Sequence, residues 1–341
     1  MGLSVILFTA VNAVVPVVLL ILLGYILKQK KFINADFVKI GNKLVFNVCL
    51  PCMLFINVYN IESFASINWD IVLYGVLMMV VIFALGYVTA ILTTKMPERR
   101  GVILQCTFRS NIAIIGLSLA STLGGDEAVA VAAIVSSFTV PANNILAVLS
   151  LSMFVTDGKS NKSSIKTVLL NIVKNPLIIG VAIGLAFLGI REAQLAIFGE
   201  VLFRFNVQTK FLYTMVNNLK SIATPFALLV LGGQFEFSAV KGLMKEIVAG
   251  TVWRIVLAPL LGLGCAIWLN NAGIVSCGIN EYPALVALFG SPVAVSSAVM
   301  ASSMGGDEQL ATQLVVWTSI FSIFTIFAEV CVLMSMGLLA V

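Results

Sequence analysis

Apolar runs of twenty or more residues alternate with short polar connections along almost the whole 341-residue chain. A helix needs roughly 20 apolar residues to cross the hydrocarbon core of a bilayer. Ten such stretches are predicted, at about 5–27, 37–59, 71–94, 101–123, 127–154, 167–189, 210–234, 243–268, 283–304 and 309–337. Two of them run into nearly the same phrase, ASTLGGDE at 120–127 and ASSMGGDE at 301–308. Gly124 and Gly305 are 181 positions apart, and the same offset pairs Ser110 with Ser291, Ala113 with Ala294, Ala130 with Ala311 and Ser137 with Thr318. The repeat therefore covers equivalent places in stretches one to five and six to ten. Five is odd, so the second half enters the membrane upside down. The expected organisation is two inverted five-helix repeats, residues 1–154 and 167–341, joined by a connecting loop at 155–166. In such repeats sites form near the midplane, where interrupted helices of the two halves meet. The Gly-Gly-Asp-Glu phrase itself reads as local structure, glycine closing one helix and aspartate capping the next.

The interruptions lie upstream of that phrase. The fourth stretch, GVILQCTFRSNIAIIGLSLAST, carries Arg109, Ser110 and Asn111 at mid-membrane with Gly116 after them. The ninth, PALVALFGSPVAVSSAVMASS, carries Gly290, Ser291 and Pro292 at the matching place. Proline removes a backbone donor and clashes with the preceding turn, and an unwound segment survives at this depth only where protein buries it or a wet cavity receives it. Unwound helices are expected at both places. Stretches two and seven offer a further pair of expected breaks: Pro51 follows Asn42 and Asn47, and Pro225 follows Asn217, Asn218 and Ser221. The fifth stretch adds SSFTVPANN, with Asn143 and Asn144 after Pro141. Amides and hydroxyls in lipid bond between helices, so part of this set is structural.

Composition fixes the class. With 60% hydrophobic and 10% charged residues and a mean hydropathy of +1.09, the chain has too little polar surface to cover a water-soluble core. It is an all-α polytopic membrane protein whose first partner is the lipid bilayer. The net charge of +5 is no nucleic-acid footprint, because the basic residues sit between the stretches. If the N-terminus is outside, eleven of them fall on the cytoplasmic side: Lys28, Lys30, Lys31, Lys95, Arg99, Arg100, Lys159, Lys162, Lys166, Lys241 and Lys245. Arg191, Arg204 and Lys210 fall opposite. The bias favours both termini outside a cell membrane, with the first stretch kept as an anchor, since its basic cluster follows it.

The segments NKLVFNVCLPCMLF, FRSNIAIIGLSLA and SPVAVSSAVMA, in that order within ten stretches split by a basic loop, resemble the auxin efflux carrier family, and in particular its bacterial malate and malonate permease-like members. The resemblance spans essentially the whole chain. It implies a secondary transporter of a small organic anion, with the fold of bile acid symporters and sodium/proton antiporters and with the fourth and ninth helices broken where they cross. It also implies binding by Ser110 and Asn111 on the fourth helix and by Ser291 and Pro292 on the ninth, with help from Asn143 or Asn144. Homologous transporters imply a homodimer, for which no stretch carries a decisive signal; the Gly180 to Gly184 spacing is common in any membrane helix. One departure is Ser118, where the family pattern leads one to expect a proline.

An anion also has a physical rationale. Half-helix N-termini at a break point positive dipole ends into the cavity. Arg109 adds a fixed charge that costs at least roughly 2.5–3.5 kcal/mol at the bilayer centre if unpaired, and a substrate carboxylate fits its hydrogen-bond fork. Snorkelling, or pairing with backbone carbonyls, is the competing account. The clearest intramembrane acid, Glu329, falls about 31 Å along the last helix at 1.5 Å per residue, close to an interface. Lys43, Lys174, Lys220 and Arg254 read as interface or interhelix residues. No cofactor is implied. The chain has no histidine, which excludes a histidine proton relay, and coupling to sodium, to protons or to a counter-anion is left open. Cys49 and Cys52 lie inside an apolar stretch and read as packing rather than a redox pair. Asp126 and Asp307 fall on opposite faces, too far apart for an aspartyl protease. No enzyme is expected; the alternatives to a carrier are a channel or sensor on the same fold, or a cation/proton antiporter.

Overall fold

The computed structural model describes residues 3–60, 68–154 and 174–339. The expected loop at 155–166 and the start of the sixth stretch lie outside those residues. All named elements are helical: α1 (Leu3–Gln29), α2 (Ala35–Tyr59), α3 (Trp69–Thr93), α4 (Pro97–Phe108), α5 (Ile112–Gly125), α6 (Glu127–Ser152), α7 (Pro176–Phe198), α8 (Lys210–Gln234), α9 (Phe237–Asn271), α10 (Glu281–Phe289), α11 (Ser296–Ser303) and α12 (Glu308–Ser335). Among the described residues seven of these, α2, α3, α6, α7, α8, α9 and α12, are long and apolar enough to cross a membrane. Three of the ten expected stretches are absent from that set. The fourth and ninth are each cut into two short helices, and in the first the apolar run that qualifies is the shorter Val15–Gln29.

The helix ends follow local chemistry. Asn34 accepts from the Phe37 amide at 2.8 Å to start α2, Asn175 caps α7 through the Leu177 amide at 2.9 Å, and Asp307 caps α12 through the Leu310 amide at 2.9 Å. Each answers one of the donors that a helix leaves open in its first turn. The repeated phrase adopts two geometries. In the second copy Gly305 takes a φ of 77° in a turn before α12, whereas in the first the positive φ of 64° falls on Gly125, one place later in the repeat register, at a kink joining α5 directly to α6.

Three expected breaks, Pro51, Gly116 and Pro225, are corrected. Pro225 lies inside α8, which runs unbroken from Lys210 to Gln234. Pro51 lies inside α2, just after a wide π turn at Val45–Cys49. A proline ring clashes with the carbonyl four residues back in a regular helix, and the wide turn absorbs that clash without ending the helix. Gly116 is likewise no break, since it closes the first turn of α5, where a Cβ would lie 2.7 Å from the Ala287 carbonyl oxygen. Its bare backbone lets α5 press on α10.

Close backbone approach recurs where a bilayer gives little drive to associate apolar faces. Gly24 faces the Leu229 carbonyl and Gly232 faces the Ile21 carbonyl, so α1 and α8 touch main chain to main chain. Gly180 does the same for α7 against Pro51 of α2, and Gly184 receives the Val58 side chain beside the Phe55 carbonyl, so this spacing is used within the chain. One end of the bundle gathers Arg99, which bridges Glu246 at 3.0 Å and Asp307 at 2.9 Å, and the Lys28–Glu236 pair. The other end holds Asn280 against Glu127 at 2.7 Å and Tyr59 against Asn206 at 2.9 Å.

The deepest polar contact belongs to Arg254 of α9, which is fully buried. Its guanidinium donates to the carbonyls of Ser291 at 2.9 Å, Leu288 at 3.2 Å, Thr107 at 3.3 Å and Phe289. These are the carbonyls left open at the C-terminal ends of α4 and α10, and a cation there also complements both helix dipoles. Arg254→Met leaves them unanswered. At about 1–3 kcal/mol per buried group left without a partner, the variant is expected to unfold at a clearly lower temperature in detergent. Arg254→Lys, which keeps the charge without the fork, recovers part of the loss; a midpoint unchanged in Arg254→Met would show that the helix ends do not depend on this residue.

Candidate functional site

The two interruptions lie side by side. After α4 the chain leaves the helix at Arg109 (φ −83°, ψ 100°), and α5 begins only after Asn111. After α10 it leaves at Gly290, and α11 begins at Ser296. The freed backbone is answered mutually: the Asn111 amide donates to the Pro292 carbonyl at 2.8 Å, the Ala294 amide to the Arg109 carbonyl at 3.3 Å, and Ser110 pairs antiparallel with Val293. The Val293 amide donates to the Thr318 hydroxyl at 3.2 Å. Unwound backbone at membrane depth requires such partners. The arrangement also sorts helix ends. The C-terminal ends of α4 and α10 meet Arg254, while the N-terminal ends of α5 and α11 face a cavity.

That cavity has a volume of about 60 Å³ and is lined by Arg109, Ser110, Asn111, Asn143, Asn144 and Ser296 among polar residues, with Leu50, Met53, Ile114 and Ala227 among apolar ones. It is large enough for a few waters or one small polar group. Arg109 is 2% exposed and is held by Asn144 Oδ1 at 2.6 Å, Ser296 Oγ at 2.9 Å, Gln105 Oε1 at 3.4 Å and the Met300 thioether. All four partners are neutral. Among the described residues no carboxylate lies within 4.0 Å of Arg109, so its charge is positioned but not cancelled. It neither snorkels nor pairs with backbone carbonyls. Beside it, Ser110 Oγ, Asn111 Nδ2 and both amide atoms of Asn143 are buried with no hydrogen-bond partner. Buried polar groups without partners are rare because each costs about 1–3 kcal/mol. Three of them around one positive charge can receive an anion: hydroxyl and amide donors for its oxygens, with the guanidinium and two helix N-termini supplying the field.

Of the residues singled out from the sequence, Arg109, Ser110, Asn111, Asn143 and Asn144 come together here. Ser291 and Pro292 do not. The Ser291 hydroxyl donates to Ala287 at 2.7 Å and its carbonyl serves Arg254, while Pro292 contributes only its carbonyl to Asn111. Both precede the turn of the chain into the cavity, and the residues that follow it, Ala294, Val295 and Ser296, line the wall instead. Ser296 and Thr224 were missed; the signal for Ser296 was its place at the start of the second half-helix, where donors converge. The Arg109 fork is also engaged by the protein itself, so its part is a fixed charge.

A second, wider opening of about 750 Å³ lies between α2, α8, α11 and the start of α12, toward the end that holds Lys28 and Glu236. Lys28, Lys39 and Lys43 line it with Glu236 and Glu308, and Asn42 Oδ1 and Gln234 Nε2 face it without partners. One turn of α2 separates Phe46 and Asn47 on its wall from Leu50 and Met53 on the cavity wall. Among the described residues no three acidic, cysteine or histidine side chains gather as a metal site.

Residues 9–328 match the profile of a family described as membrane transport protein. A protein of Methanocaldococcus jannaschii described as an uncharacterized transporter is 23% identical over 319 residues, covering 92% of this chain and 96% of that one. Neither description is that of an enzyme. With the match running through both helix interruptions and the cavity between them, the chain belongs to the auxin efflux carrier-like family of membrane transport proteins.

Proposed function

We propose that the chain is a secondary active transporter of a small organic anion, a mono- or dicarboxylate such as malate or malonate, working by alternating access around the interrupted pairs α4–α5 and α10–α11. The observation that carries this reading is the buried Arg109 charge, held by neutral groups beside the unpartnered Ser110, Asn111 and Asn143. A carboxylate answers both needs at once. It neutralises the guanidinium's field and supplies acceptors for the hydroxyl and amide donors.

On this reading the chain crosses a cell membrane ten times, α4 with α5 and α10 with α11 each counting as one crossing, as two inverted halves at 1–154 and 167–341. The 181-residue offset and the mutual hydrogen bonds of the two breaks support it. The basic bias puts both termini outside and the lysine-lined opening in the cytoplasm. The conformation is then inward-facing, and Lys39 and Lys43, both exposed, raise the local concentration of anions at its mouth. The far side is shut by α5 on α10, where Gly116 meets Ala287.

The direct test is counterflow in proteoliposomes loaded with unlabelled malate, malonate or an aromatic acid, with labelled substrate outside; a saturable exchange marks a carrier, and conductance without exchange marks a channel. Asn143→Ala removes an amide that makes no hydrogen bond within the protein. Its thermal stability is expected to stay level or rise while substrate affinity falls about ten-fold, as loss of one or two hydrogen bonds predicts. Wild-type affinity in the folded variant would sink the assigned site. Arg109→Gln is expected to weaken charged substrates far more than neutral isosteres, measured as competition in the same vesicles; equal losses for both would assign Arg109 to folding.

A further inference from the structure

Glu329 lies on α12, outside the cavity and outside the ion pairs at the bundle ends. Both of its carboxyl oxygens are buried without a hydrogen-bond partner. It abuts the end of α10: a Cβ on Gly290 would overlap Glu329 Oε2 and lie 2.9 Å from the Val286 carbonyl oxygen. Glycine at 290 is therefore what lets the carboxyl come against the C-terminal end of that helix, beside the Val286 carbonyl. A carboxylate there faces the negative end of a dipole, whereas the protonated acid is a donor among acceptors. The crevice around it, about 310 Å³, is apolar apart from Thr325, with Ile255, Val256, Pro259, Leu260 and Leu333 on its walls.

The charged group that faces Glu329 is Arg254 of α9, and its guanidinium donates to carbonyls rather than to the carboxyl. From α4, Cys106 reaches Arg254 but donates to the Gly250 carbonyl at 3.4 Å. α10 brings Glu281 and Tyr282 only at its far end, about 12 Å away at 1.5 Å per residue; Cys331 lies on α12 itself, and α1 has no charged residue before Lys28. One carboxyl and one guanidinium thus share the place where both half-helices end.

We infer that Glu329 is a proton-binding site, and that its proton sets how firmly Arg254 holds the ends of α4 and α10. Uptake of one proton from water takes the carboxyl from −1 to 0 and leaves Arg254 to the four carbonyls. Loss of that proton gives Arg254 a competing anion, draws it off the carbonyls and loosens the breaks that carry the cavity. The proton site stands on its own geometry; its coupling to anion movement rests on the carrier reading above. Glu329 is nine or so ångströms from the end of α12 by helical rise, so exchange is expected from the side on which that helix ends.

The experiment pairs infrared spectroscopy with transport on the purified full chain. The wild type is expected to show the carbonyl band of a buried protonated carboxylic acid, absent in Glu329→Gln and altered in Arg254→Lys. In vesicles a proton gradient is expected to drive accumulation by the wild type. Glu329→Gln, a fixed mimic of the protonated form, is expected to retain counterflow and lose the response to the gradient. A spectrum unchanged by Glu329→Gln overturns the proton site, and an intact gradient response in that variant overturns the coupling. A Glu329-dependent band in protein that exchanges no organic acid supports the proton site and overturns the carrier reading, so the two fail separately.

Discussion

A peptide group that leaves a helix inside hydrocarbon must find a partner in the protein, and the rest of this structure follows from how that demand is met twice at one place. The breaks at 109–111 and 290–295 use each other: amide to carbonyl between Asn111 and Pro292, and between Ala294 and Arg109. What remains open after that exchange is asymmetric. Each broken helix offers spare carbonyls on the side where its first half ends and spare amides on the side where its second half starts. Arg254 takes the carbonyls. The amides of α5 and α11 are left facing the cavity, together with Arg109. Positive potential on the cavity side is thus a by-product of satisfying the backbone on the other, and the proposal of an anion as ligand rests on it.

The same constraint explains what could be read from the sequence and what could not. Hydrophobic run length placed the helices, and Arg-Ser-Asn and Gly-Ser-Pro marked where two of them come apart, because those residues are hard to keep in a helix inside lipid. Proline alone was a poorer guide: Pro225 and Pro51 sit in continuous helices, one tolerated outright and one behind a π turn. Which side of a break a side chain faces was not legible either. Ser291 and Ser296 are five residues apart, and only the fold shows that the first turns back to its own helix while the second meets Arg109. Arg254 stands alone in an apolar run, and nothing nearby in sequence announces that its four partners come from α4 and α10.

Glycine sets how the parts can move. The α1–α8 contact at Gly24 and Gly232 and the α2–α7 contact at Gly180 are backbone on backbone, while Gly184 receives the Val58 side chain beside the Phe55 carbonyl. Such faces lock helices at short range and fix their registers. The cavity, by contrast, is bounded by α2 and α8 on one side and by the broken segments on the other, and its apolar wall of Leu50, Met53 and Ala227 makes no hydrogen bond to Arg109. Polar ties across that boundary lie at its end rather than at the cavity: Asn42 of α2 donates to Ser302 of α11 at 3.4 Å, and Gln309 of α12 to the Gln234 carbonyl of α8 at 3.0 Å; the proposed alternating access would have to exchange these few bonds.

Neutral partners around Arg109 are the more informative choice than an ion pair would have been. A carboxylate supplied by the chain would have offset the cost of burying the guanidinium, several kcal/mol in real proteins, but would also have cancelled the field that an anion feels. Asn144, Ser296 and Gln105 orient the group and leave its charge in place. The uncompensated part is then carried by the protein in the form that best discriminates, since it is relieved by an anion and not by a neutral molecule of the same shape. The unpartnered amide of Asn143 adds to the same imbalance. A ligand that corrects both should raise stability by the usual linkage, about 2.7 kcal/mol at a hundred times its dissociation constant. That makes a thermal shift, rather than transport, the quickest way to rank candidate anions, because it reads the relief of the buried charge directly and does not depend on the direction or the energy source of movement.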